Sequence, residues 1–271
     1  MLGKLIKYDL RAAGRMLIFL YIAVIGMAIV FGISMRRVMG TDSYYSIMGI
    51  YYSTSGKMEH FYSIVSVIYV ILLIVMLLLT FVMIVRQFYK NMLGGQGYLM
   101  NSLPVKTWMH LASKTITGFI WAAVSSVISV LSILIAVLIA DKYMGIWSAI
   151  KEVLTNIPAD FAILYIFTMI AGAVSSVLMI YLALMLGNLF NKHKLGMAVL
   201  MFIVLLIATS VIRSVILVQT YMTSMINDSF YLDSLDGFRY SMVPQLIISI
   251  IYAVGFWIVT NWLMKNKLNL E

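Results

Sequence analysis

The chain has 271 residues, 63% of them hydrophobic and only 11% charged, with a mean hydropathy of +1.02. Soluble domains carry about 25% charged residues, so a water-facing globular surface is excluded. The lack of cysteine excludes disulfides and thiolate metal sites, and the net charge of +9 is a membrane-orientation signal rather than a nucleic-acid-binding one.

In chain order, residues 2–15 come first as a basic amphipathic helix. Lys4, Lys7, Arg11 and Arg15 fall on one face, and Leu2, Leu5, Ile6, Leu10 and Ala13 largely on the other. Such a helix lies in the membrane interface; the alternative is a plain positive flank that holds the chain's start inside. Six spans follow, at about 16–35, 61–85, 115–140, 161–187, 195–212 and 243–264, each inside an uncharged stretch. At about 1.5 Å per residue each approaches or exceeds the roughly 30 Å of a hydrocarbon core, 195–212 being the shortest. They are apolar on all sides, which suits helices and not the alternating strands of a barrel. The first has too long an apolar run for a cleaved signal peptide and no small-residue cleavage site after it. The fold class expected is all-α integral membrane, one transmembrane domain over 1–271.

Loop charge sets the orientation. Both termini fall on one side, with 86–114 and the turn near 192–194. That side carries twelve of the nineteen Lys and Arg and only Asp9 and Glu271 of the ten acids. The positive-inside rule makes it cytoplasmic. Trp108 and Trp262 sit at span ends and Trp147 in an outer loop, as interface anchors do. Small residues recur at fours: Ala28 and Gly32; Ser125 and Ser129; Ser132, Ala136 and Ala140; Gly172 and Ser176. They let helices approach closely.

The spans hold no Asp, Glu, Lys, Arg or His, the groups that proton relays and coupling-ion sites need at depth. His60, His110 and His193 lie in different loops, and there is neither an HExxH pair nor a GxxxxGK(S/T) phosphate loop. No catalytic residue and no metal ligand is expected, and no cofactor in this chain.

The connection 86–114 is the most informative segment. Glycine breaks at Gly94, Gly95 and Gly97 precede a short amphipathic run from Tyr98 to Leu103, which Pro104 ends. Tyr98, Leu99, Leu103 and Val105 are apolar outside the membrane and need a protein surface, either a partner's or the chain's own.

The order GYLMNSLPVKTWMHLASK, residues 97–114, resembles the inner loop of permease subunits of type-2 ATP-binding-cassette (ABC) exporters, in which Ser/Thr-Leu-Pro-Val precedes an amphipathic helix ending in Lys. The six spans, inside termini and basic start extend the resemblance over the whole length, closest to the short permeases of Gram-positive bacteria that work with a separate ATPase. The resemblance implies coupling residues Gly94, Gly97, Tyr98, Leu99, Leu103, Pro104 and Val105 seated in a cleft of that ATPase. It implies two cytoplasmic ATPase subunits holding ATP and Mg, and a second permease, identical or related. It implies a path along Tyr69, Met76, Thr80 and Met83 of the second span and Met201, Leu205 and Thr209 of the fifth. A short re-entrant helix over 214–226 also follows from it, with Arg213 snorkelling to the interface or ending the fifth span. The implied function is ATP-driven export of an amphipathic or hydrophobic substrate, such as a peptide, antibiotic or lipid, across a bacterial plasma membrane. The other readings are an ion-coupled secondary transporter and a non-transporting sensor or immunity protein.

Overall fold

The computed structural model describes residues 2–39, 56–93, 107–140, 145–156, 158–190, 193–226 and 235–266. Among the described residues the regular structure is entirely helical: α1 (Leu2–Met39), α2 (Gly56–Phe88), α3 (Thr107–Ala140), α4 (Ile146–Asn156), α5 (Ala159–Asn188), α6 (Lys194–Ile226) and α7 (Leu235–Asn266). A π turn, Tyr89–Leu93, continues α2. Six of these helices, all but α4, are long and apolar enough to cross a membrane. The protein is therefore a multi-pass, all-α membrane protein. The physical reason is that lipid offers no partner for a backbone N–H or C=O, so each crossing segment satisfies its own as a helix.

Two helices join segments expected to be separate. The basic start does not form a helix of its own: α1 runs unbroken from Leu2 to Met39. Likewise 214–226 is not a separate re-entrant helix, because α6 continues through Arg213 to Ile226. Neither junction holds a proline, and the lone Gly14 near the first costs a helix only about 1 kcal/mol, too little to stop it.

The chain contains two compact units within the expected single domain. One comprises Leu10–Val82 and Trp121–Asn156; the other comprises Met1–Asp9, Met83–Ile120 and Ile157–Glu271.

In the first unit α1, α2 and α3 pack through small residues and hydroxyls. Ala28, Tyr69 and Ala136 form its buried core, lined by Met27, Phe31 and Leu73. Phe31 stacks on Tyr69 at 5.1 Å and on Tyr62 at 5.8 Å. Gly32 is obligatory at the α1–α3 crossing: a Cβ there would stand 2.7 Å from the Ala136 carbonyl oxygen. The small residues read from the sequence at 28, 32 and 136 thus do what their spacing implies. Gly172, by contrast, has open space around it.

In the second unit α5 packs on α7 and on α6. Pro158, with φ −62°, leads into α5, where the Ala162 N–H donates to its carbonyl at 3.1 Å. The α5–α6 turn passes through His193 at φ 56°. It closes tightly enough that a Cβ on Gly187 would lie 2.5 Å from the backbone of Ala198.

Candidate functional site

The second unit contains a buried charged cluster at the start of α3. A helix entering a membrane face normally keeps one side wet, yet His110, Leu111, Ser113, Lys114, Thr115, Thr117 and Gly118 are all buried. The cluster is centred on an ion pair between α1 and α3. Lys114 Nζ donates to both carboxylate oxygens of Asp9, at 2.6 and 2.7 Å, and Ser113 Oγ donates to Oδ2 at 3.3 Å. The Lys114 side chain is 1% exposed and that of Asp9 13%. Leaving either charge in this place without the other would cost several kcal/mol, on the order of 3–5.

Helix geometry explains why Asp9 turns inward. It is two residues from Lys7, a rotation of about 200°, so the exposed Lys7 and Arg11 lie on the opposite side of α1. Lys4 and Arg15 belong to the same helix, with side chains outside the described residues.

Around the ion pair sits an aromatic strut. The Tyr181 hydroxyl of α5 donates to the Lys114 carbonyl at 2.9 Å, and its ring stacks on Phe88 of α2 at 4.3 Å and 13°. Gly118 makes room for that hydroxyl, which a Cβ would meet at 2.8 Å. Thr107, at the first turn of α3, donates to Asn261 of α7 at 3.4 Å. His110 is 1% exposed, and neither of its ring nitrogens has a hydrogen-bond partner among the described residues.

The arrangement has one consequence for the segment 94–106. On its α2 side Phe88 and Met92 are fully buried; on its α3 side His110, Leu111 and Lys114 are. The described residues that flank the segment on each side thus include fully buried ones. The expected coupling residues Gly94, Gly97, Tyr98, Leu99, Leu103, Pro104 and Val105 themselves lie outside the described residues.

The expected path residues occupy two settings. In the first unit Tyr69, Met76 and Thr80 are buried between helices. The Tyr69 hydroxyl bonds Ser132 Oγ at 2.9 Å, and Thr80 bonds Ser125 Oγ at 2.8 Å. Ser125 also meets the Tyr21 hydroxyl at 2.7 Å, so hydroxyls of α1, α2 and α3 form one chain. In the second unit Met83, Met201, Leu205 and Thr209 are half-buried. Thr209 Oγ1 donates back to the Leu205 carbonyl at 2.8 Å, with Met179 Sδ at 3.9 Å.

The sequence reading missed the Asp9–Lys114 pair. By sequence Asp9 is only an acid on the cytoplasmic side, and Lys114 only the end of the helix that leads into the third span. The one available signal was an acid on the apolar face of an otherwise basic helix. Chemically the cluster binds helices to one another; among the described residues no group of His, Cys, Asp or Glu is placed to hold a metal ion. Comparison with protein-family models, curated proteins and solved structures yields no match.

Proposed function

We propose that this chain is the membrane-spanning permease subunit of a type-2 ABC exporter. It contributes no chemistry of its own; ATP and Mg are held by two separate cytoplasmic ATPase subunits, and a second permease, identical or related, completes the path. The segment of about 94–104, with Val105 after it, is the contact with the ATPase, and both termini are cytoplasmic in a bacterial plasma membrane. The cargo is amphipathic or hydrophobic, since the spans offer hydroxyls, methionines and aromatics more than charge.

The observation that supports this reading is the burial of residues that flank 94–106 on both sides. A segment that receives force from a partner must not dissipate it at its own hinges. Here Phe88 and Met92 on one side and His110–Lys114 on the other are fully buried, and Tyr181 joins the two sides by a ring stack and a hydrogen bond. Displacement of 94–106 is then passed to α2 and α3 together, because close-packed interiors transmit strain rather than absorb it.

The test is coupling. With a candidate partner ATPase co-expressed, Leu103→Glu places a charge on an apolar contact. It is expected to abolish co-purification, or to reduce substrate-stimulated ATP hydrolysis by about tenfold or more, without altering thermal stability in detergent. An ATPase that neither co-purifies with the native chain nor responds to it would overturn the proposal.

A further inference from the structure

Arg213 lies inside an apolar helix that was expected to end beside it. Instead α6 continues to Ile226, and the membrane-competent stretch of that helix runs Lys194–Thr220. At about 1.5 Å per residue, Arg213 stands about 28 Å along the axis from Lys194. The hydrocarbon core is about 30 Å thick, so a helix that enters at Lys194 brings Arg213 to the level of the phosphates in the far leaflet.

Its surroundings are incomplete. The guanidinium carbon sits 5.6 Å from the centroid of the Tyr252 ring on α7. That contact is to a ring and supplies the guanidinium N–H donors with no oxygen acceptor. Among the described residues no carboxylate forms an ion pair with Arg213, whose side chain is half-buried. The Tyr252 hydroxyl is buried and has no partner either, while the ring itself is held parallel to Phe256 at 5.6 Å. A cation and a phenol, both short of acceptors, therefore share one place beside lipid. Seven residues earlier, on the same face of α6, Leu206 is exposed and offers an apolar surface to an acyl chain.

We propose that Arg213 and Tyr252 form a binding site for the phosphate of an anionic phospholipid, with the lipid tail laid along α6 past Leu206. A phosphate diester supplies what the site lacks: a negative charge at that depth and oxygens that match the guanidinium fork. The tail distinguishes a lipid from a free phosphate ion. The inference is independent of the transport reading, as it depends only on α6, α7 and the bilayer.

The full chain, purified in an uncharged detergent, is titrated with short-chain phosphatidylglycerol, with diacylglycerol of the same chain length, and with inorganic phosphate, and binding is read by native mass spectrometry and by the rise in Tm. Phosphatidylglycerol is expected to bind saturably and at least about a hundredfold more tightly than inorganic phosphate, with diacylglycerol giving no saturable rise. Arg213→Gln is expected to abolish the response. Arg213→Lys, which keeps the charge but loses the fork, is expected to weaken it about tenfold, and Tyr252→Phe, which keeps the ring, a few-fold. Arg213→Lys also serves as the folded control, its Tm without lipid matching the native protein. Binding of phosphatidylglycerol that is unchanged in both Arg213 variants, or equalled by diacylglycerol, overturns the site. Equal affinity for inorganic phosphate overturns its assignment to a lipid.

Discussion

Asp9 and Lys114 hold the largest single electrostatic stake among the described side chains. They are 105 positions apart in sequence yet 2.6 Å apart in space, and both are withdrawn from water. Removing one partner strands the other charge, whereas removing both leaves an apolar contact of similar volume. Asp9→Leu or Lys114→Met alone is therefore expected to destabilise the protein by about 3–5 kcal/mol, and the double variant to recover most of that. Unfolding by SDS titration in mixed micelles measures it. The hydroxyl bonds inside the first unit belong to a smaller class. Tyr21→Phe breaks a 2.7 Å contact, but interhelical hydrogen bonds in membrane proteins average about 0.6 kcal/mol, and Ser125 keeps Thr80 as a partner. A loss near that value is expected. The two magnitudes mark the ion pair as the structural anchor and the hydroxyl chain as a fitting device. The hydroxyl positions Ser125 and Ser132 were visible in the sequence by their helical spacing; their partners Tyr21 and Tyr69 were not, because spacing assigns a residue to a face without saying what faces it.

At the scale of helices, glycine positions decide how closely elements pack. Gly187 and Gly172 both belong to α5, and sequence spacing singles out only Gly172, with Ser176, as a place of close approach. The structure separates them: a Cβ at Gly187 would strike the backbone of Ala198 at 2.5 Å, whereas Gly172 has nothing within 4 Å. Gly187→Ala is expected to cost about 3 kcal/mol, the upper end of overpacking, since backbone cannot step aside as a side chain can. Gly172→Ala is expected to be neutral or slightly stabilising through helix propensity, within about 1 kcal/mol. Parallel thermal unfolding of the two variants in the same detergent distinguishes them. The helices themselves were legible from uncharged apolar stretches. Their true lengths were not, since α1 and α6 continue into polar sequence where hydropathy falls but nothing ends the hydrogen-bond ladder. A span is a property of composition; a helix is a property of the backbone, and the two need not stop together.

For the whole molecule, six membrane-competent helices among the described residues give an even number of crossings, and loop charge supplies an expectation for the side on which the termini lie. The absence of cysteine makes the expected orientation directly measurable. Lys7→Cys and Glu152→Cys, at exposed positions on α1 and α4, are expected to react with an impermeant maleimide from opposite sides. In intact cells Glu152→Cys is labelled and Lys7→Cys only after lysis; the reverse order would invert the topology and remove 94–106 from the cytoplasm. By itself the sequence determined the solvent, the helical character of the spans and their number, because burying backbone in lipid leaves the chain one local solution and hydropathy records it. Only the tertiary structure decided that Asp9 leaves the interface to pair with Lys114, that Tyr181 seats in the notch at Gly118, and that Arg213 lies against Tyr252. Each of those contacts joins residues on different helices, and their energies depend on which faces meet, a quantity that no local pattern of residues encodes.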